Sequence, residues 1–176
     1  YVDDCNYGLA GEILKRIYGP LNPRNSGVAS GTFTEFDQTP YISGHGMATT
    51  GWVYTPQVCM TGVSCRVHLV LHGCKQNTAD VGQQYVRNTG YNRWADTNNI
   101  VVLYPQTSLA ATNSCWDWWG YDSVNYAKKT GPQMTAVKAM VDHLSSGTAP
   151  SSLPPPNGVA VSSATSNSMV ITWTSV

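Results

Sequence analysis

The stretch Arg66-Val-His-Leu-Val-Leu-His-Gly-Cys74 decides the fold. Val67, Leu69 and Leu71 alternate with His68 and Val70, which predicts one apolar strand over 67–71. Gly73 breaks the run, and there the chain must turn. A buried strand that ends in His-Gly-Cys and passes through polar residues into a helical segment is the strand-to-helix loop of an α/β sheet. Loops of this kind present backbone N–H groups at the carboxyl edge of the sheet. The bend has two readings at this point: an ordinary βα turn that uses a glycine because turns favour one, or a loop whose donors serve chemistry.

Downstream, Thr78 caps a predicted helix running to about Asn88, and a second helical piece covers Asn92 to Thr97. Ile100 to Tyr104 is a fully apolar strand halted by Pro105. Residues 67–104 therefore form one β-α-β unit, which lays two parallel strands in one sheet. Upstream, Leu9, Ile13, Leu14 and Ile17 recur at helical spacing until Gly19-Pro20 ends the helix. Residues 22–31 are loop by composition, Thr32–Phe36 and Trp52–Thr55 are short strands, and a polar loop with Gly44-His45-Gly46 lies between them. Past 104, Gly131-Pro132 opens a last helix with an apolar stripe of Met134, Val137, Met140, Val141 and Leu144. Residues 148–156 are a stiff Ser/Pro linker. Residues 157–176 hold two β-runs around a Ser/Thr/Asn turn, too few strands to bury a sandwich core.

A chain of 176 residues suffices for one core and the edge of a second domain. Ten basic and ten acidic side chains cancel, which argues against nucleic acid or an anionic membrane as the partner. Ten tyrosines and six tryptophans supply flat, uncharged contact surface instead, suited to a neutral polymer, ester or sugar. No apolar run approaches a bilayer span. The absence of an initiator methionine and of a leader makes Tyr1 read as a cut end. Five cysteines among many Gly, Ser, Thr and Asn point to an oxidising compartment. Their odd number leaves one thiol free or paired outside these residues.

The nucleophile search is negative. No Gly-x-Ser-x-Gly occurs, and Ser30 and Ser146, each before a glycine, do not follow an apolar strand as an exposed nucleophile elbow requires. His68 and His72 share a strand face but stand about 13 Å apart at strand rise, too far for one metal ion. His72 is expected to bond locally and orient the bend. His45 could act as a base, yet no acid stands near it in sequence; His143, beside Asp142, is expected to be solvated. No metal or phosphate motif occurs, and no cofactor is implied. Cys59 and Cys65, six apart across a glycine-containing turn, form a short staple worth about 2 kcal/mol in chain entropy. The Cys115-Trp-Asp-Trp-Trp run offers an aromatic landing for a chain-like substrate or is plain core, and Asp117 within it is expected to anchor a loop.

Five motifs occur in one order: Cys5-Asn-Tyr-Gly-x-Ala-Gly, Leu71-His-Gly-Cys-x-Gln, Gln84-x4-Thr89-Gly-Tyr-Asn-x-Trp-Ala-Asp-Thr-Asn-Asn, Leu103-Tyr-Pro-Gln and Cys115-Trp-Asp-Trp. Together they closely resemble extracellular poly(3-hydroxybutyrate) depolymerases of the type with a circularly permuted α/β-hydrolase domain. The resemblance implies an α/β fold with a parallel sheet core, in which residues 1–147 are the C-terminal part of the catalytic domain. It also implies that residues 157–176 open a fibronectin type III module. In that family the Ser, Asp and His of the triad come first in the chain, so the resemblance puts no triad residue here and leaves the missing N-terminal half as a partner. It carries an oxyanion role onto the backbone N–H of Cys74 and implies a Cys74–Cys115 bridge, with Cys5 paired upstream. Trp116, Trp118, Trp119 and Tyr104 become candidates to line the substrate crevice. The implied reaction is serine hydrolysis of polyester by a secreted enzyme. A carbohydrate esterase of the acetylxylan or feruloyl type shares this machinery, and a non-catalytic, aromatic-faced polymer-binding module would share the composition.

Overall fold

A computed structural model describes residues 5–42, 44–145, 159–165 and 168–173. Helix α1 (Leu9–Tyr18) comes first, then strands β1 (Thr32–Asp37) and β2 (Thr50–Thr55). A 3-10 turn over Gln57–Thr61 leads to β3 (Arg66–Leu69). Helices α2 (Thr78–Val81), α3 (Gln84–Asn88) and α4 (Tyr91–Asn98) connect β3 to β4 (Ile100–Tyr104), and α5 (Pro132–Ser145) follows. The sheet order is β1-β2-β4-β3. The β3–β4 pair is parallel, with His68 opposite Val102, as the β-α-β reading requires. The other two pairs are antiparallel, so the sheet is mixed where a parallel core was expected. The reason is local: the connection of residues 38–49 folds β2 straight back along β1, and β2 then runs against β4.

Every residue of β4 is buried, which makes it the centre of the sheet. One core, with Phe36, Val53, Leu103 and Met140, lies under α5; the other, with Leu14, Tyr54, Val102 and Tyr104, lies under α1 and α4. The two layers of helix on a sheet are what continuous apolar strands demand. In α5 the buried positions are Gln133, Ala136, Val137, Met140 and Leu144. Met134, one residue off that stripe, is half exposed, against expectation. In α1 the buried face is Ala10, Gly11 and Leu14, whereas Leu9 and Ile17 stand outside. Gly11 lies so close to the Trp94 ring that a Cβ there would come within 2.5 Å of it.

The single helix expected over 78–88 is two short ones. Gly82, at φ 58° and ψ −145°, takes the chain out of helical geometry between them, and Asn77 provides the cap, its Oδ1 accepting from the Asp80 N–H at 2.8 Å. The staple between Cys59 and Cys65 is formed. Residues 159–165 and 168–173 pair as an antiparallel hairpin, β5 and β6; the linker 148–156 falls outside the described residues. No helix among the described residues is long and apolar enough to cross a membrane.

Candidate active-site edge

Three segments meet at one end of the sheet. β3 and β4 both finish there because they are parallel, and β2 starts there because it runs against β4. The connection between β1 and β2, which includes Gly44-His45-Gly46, therefore lies at the same carboxyl edge as the His72-Gly73-Cys74 bend. That edge is where open α/β sheets present ligand sites. The segments are tied by backbone: Ala48 N–H donates to the Gln106 carbonyl at 3.0 Å, and Met47 bridges to Thr107. Gln38 cements the junction from inside, accepting from the Gln106 N–H at 2.9 Å and donating to the carbonyls of Ala48 and Gln106.

His72 is buried beneath the bend. Its Nε2 accepts from the Thr107 N–H at 3.2 Å, so the proton sits on Nδ1, which donates to the Gly73 carbonyl at 2.7 Å. Burial holds this imidazole below its ordinary pKa, while the Gly73 carbonyl and the Asp80 charge pull the other way. Gln76 Oε1 accepts from the Gly73 N–H at 2.8 Å, and Lys75 N–H donates to the Asn113 carbonyl at 3.1 Å. Cys74 is bonded to Cys115 and exposed. The Cys74 N–H has no hydrogen-bond partner among the described residues. A fixed bend with one unclaimed donor is the result, and the sequence expectation that His72 orients it holds.

The aromatic run divides. Trp116 is half-buried against the His72 ring, its Nε1 donating to the His72 carbonyl at 3.0 Å. Trp118 and Trp119 are exposed by 68% and 40% and meet edge to face, with centroids 4.8 Å apart; Tyr121 continues the patch 4.9 Å from Trp119. Asp117 anchors this loop as expected, accepting from the N–H groups of Gly120, Tyr121, Asp122 and Ser123. Burial would raise its carboxyl, but those four donors outweigh burial and hold it below the usual range. Tyr104 does not belong to the patch. It is fully buried, its hydroxyl donating to Asn92 Oδ1 at 2.7 Å, because it is the last residue of the central strand and faces the second core.

Other sequence expectations are corrected. His45 does have an acid: its Nδ1 lies 2.8 Å from Oδ2 of Asp122, brought from 77 residues away. His143 is half-buried, its Nδ1 2.7 Å from the Tyr41 hydroxyl, and burial lowers its pKa. His68 is buried beside Tyr18 and Tyr91, away from the bend. Ser30 gives its hydroxyl to Asp96, with no histidine on the other side; Ser146 falls outside the described residues. No group of three metal-binding side chains forms among the described residues. A cleft of about 580 Å³ opens between α1 and α4, lined by Tyr7, Arg24, Tyr85, Tyr91 and Trp94, and adjoins the bend through Tyr85, whose hydroxyl donates to the Leu71 carbonyl at 2.9 Å. Its described lining includes neither histidine nor carboxylate. Sequence reasoning missed the His45–Asp122 pair because nothing in linear spacing links the two.

Residues 53–148 match the family model described as esterase PHB depolymerase. The chain is 62% identical over 185 aligned residues to a poly(3-hydroxybutyrate) depolymerase of Delftia acidovorans, covering all of this chain and 37% of that one. It is 42% identical to a polyhydroxybutyrate depolymerase of Talaromyces funiculosus, over 84% of this chain and 48% of the relative. The crystal structure of PHB depolymerase from Penicillium funiculosum superposes with a TM-score of 0.77 at 42% identity, covering 81% of this chain and 49% of that one. A PHB depolymerase variant complexed with an R3HB trimer superposes equally well. The chain thus spans between about a third and a half of the length of these relatives.

Proposed function

The chain belongs to the esterase PHB depolymerase family, and on that premise we propose that it is part of a secreted polyester hydrolase, to which it contributes the oxyanion half of the active site. The observation that carries this reading is the Cys74 bend: exposed, braced by His72, Gln76 and Cys115, and holding an N–H that no described group claims. A serine outside these residues attacks the ester carbonyl after a histidine takes its proton. The Cys74 N–H and a second donor, from the residue after the serine, hold the charge that develops on oxygen; water then releases the acyl group. One such donor contributes about 2.7–4 kcal/mol to the transition state, and only if it is held still. Trp118 and Trp119, with Trp116 behind them, form the wall on which an uncharged polyester strand lies.

The relatives named as depolymerases, and the one complexed with an R3HB trimer, support a 3-hydroxyacyl polyester as substrate. Since the chain corresponds to half or less of those proteins, the triad is assigned to the remaining part, ahead of these residues in a circularly permuted order. Cys5, exposed and unpaired, is assigned a partner there. Residues 148–156 are assigned as a linker and 157–176 as the start of a fibronectin type III module. The full-length parent should clear a polyhydroxybutyrate film, and isolated 1–176 should release nothing from a nitrophenyl ester. Turnover by the isolated chain would put the nucleophile within these residues; a parent that deacetylates xylan and leaves the film intact would be a carbohydrate esterase.

A further inference from the structure

Gly44, His45 and Gly46 all sit at positive φ, at 84°, 52° and 69°. A histidine in this left-handed region is strained unless its surroundings over-determine it. They do: a Cβ on Gly46 would come within 2.9 Å of the Tyr121 hydroxyl and 3.0 Å of Ala111 Cβ, and Gln133 Nε2 donates to the His45 carbonyl at 2.7 Å. The loop is thus pinned beside Tyr121, the aromatic neighbour of Trp119. Asp122, whose own N–H is held by Asp117, fixes the ring through Nδ1 at 2.8 Å. The His45 side chain is 45% exposed, and Nε2 has no partner among the described residues. An ionised carboxylate only accepts, so Nδ1 carries a proton toward Asp122, and Nε2 stands at the rim of the carboxyl edge as an acceptor whenever it carries no proton of its own.

An uncharged polyester strand of hydroxyacyl units is made of acceptors: every carbonyl and every ester oxygen accepts. Its single donor is the hydroxyl of the chain end. We propose that His45, held by Asp122, is a substrate-binding residue that accepts a hydrogen bond from the free hydroxyl terminus of a hydroxyacyl oligomer lying on the Trp118–Trp119 patch. This rests on the depolymerase reading above and adds an end-recognition element to it. Asp122 is a positioning residue that acts only through His45.

The test uses the full-length protein and three 3-hydroxybutyrate trimers: free, O-acetylated at the hydroxyl end, and methyl-esterified at the carboxyl end. In the unmodified protein, O-acetylation should raise KM at least fivefold and methylation should not. His45→Ala should abolish that discrimination, raising KM for the free trimer to that of the acetylated one. His45→Gln, which keeps a neutral acceptor, should restore part of it, and Asp122→Asn should weaken it. Discrimination that survives in His45→Ala, equal rises in KM for all three trimers, or sensitivity to the carboxyl end would each overturn the proposal, as would failure of both His45 variants to fold. A protein that hydrolyses none of the trimers would sink the depolymerase reading itself, a separate outcome from intact turnover without end discrimination.

Discussion

The two ends of the sheet carry similar polar residues and use them in opposite ways. Where β4 begins, Asp96 is buried and accepts from Tyr54 Oη and Asn25 Nδ2 at 2.5 Å each, and from Ser30 Oγ at 2.7 Å and Ser30 N–H at 3.0 Å. That network ties the 22–31 loop to α4 and β2 and leaves the Asp96 carboxylate fully engaged by protein donors. Burial would raise the Asp96 carboxyl, but Tyr54, Ser30 and Asn25 together hold it below its ordinary value. Where β4 ends, the Cys74 N–H and His45 Nε2 have no partner among the described residues, and two tryptophans stand in solvent. A closed network stabilises; an open one, held by equally rigid supports, is free to bind. Polar content alone does not distinguish a site from a strut.

Variants can separate these roles. The largest effect is expected for Cys115→Ser in the full-length protein. Its bridge closes a loop of 41 residues, which corresponds to about 4 kcal/mol on the chain-entropy estimate. Because the bridge also braces the open end, chemical denaturation and ester turnover should both suffer. If midpoint and rate stay where they were, the bridge has no part in positioning Cys74. Next comes Asp96→Ala at the closed end, which strands the Tyr54 hydroxyl and the Ser30 and Asn25 donors and should cost about 3 kcal/mol. Turnover per folded molecule should not change, since the proposed site lies at the other end; a drop in kcat with normal stability would erase the distinction between the ends. The sign with pH follows from the depressed carboxyl. The stabilisation is complete above the unfolded value near 3.8 and disappears as pH falls through the lower folded value, so wild type and Asp96→Asn should converge only in strong acid.

The strands and the bend at the open end were legible in the sequence; the Asp96 network at the closed end was not, because it joins residues 42 to 71 positions apart. An apolar run announces Ile100–Tyr104 because a strand buried on both faces has no other composition available, while the partly exposed edge strand Arg66–Leu69 shows as apolar alternation that runs on into Val70 and Leu71. The Cys74 bend was legible for the same reason, as the place where such a run stops. The direction of β2 was not, since period-2 alternation is blind to strand polarity: the pair read from 67–104 is parallel as expected, but the sheet around it is mixed. Gly82 did carry a signal, a glycine inside a helical stretch, that should have split the 78–88 helix. Tyr104 shows the opposite failure: an aromatic at a strand end reads equally well as crevice or core, and only its burial decides. His45 and Asp122 meet through a loop pinned by Tyr121 and Gln133, a tertiary fact with no linear trace.

The smallest effect belongs to His72, which sits at the open end yet is itself closed. Its ring is neutral, with Nε2 committed to an N–H donor on Thr107 and Nδ1–H to Gly73, and it packs against Tyr85 and Trp116. Protonation would set Nε2–H against that donor, and burial already disfavours the charge more than the Gly73 carbonyl and Asp80 favour it. A folded pKa below the unfolded value near 6.5 means that the unfolded chain takes up the proton first as pH falls. Stability contributed here is therefore intact above about 6.5 and declines below it. His72→Gln should lower the denaturation midpoint at pH 8 modestly and flatten the decline between pH 6.5 and 5 relative to wild type. A variant whose pH slope matches wild type would show that His72 takes up no proton on unfolding, and the decline below pH 6.5 would then belong to other groups.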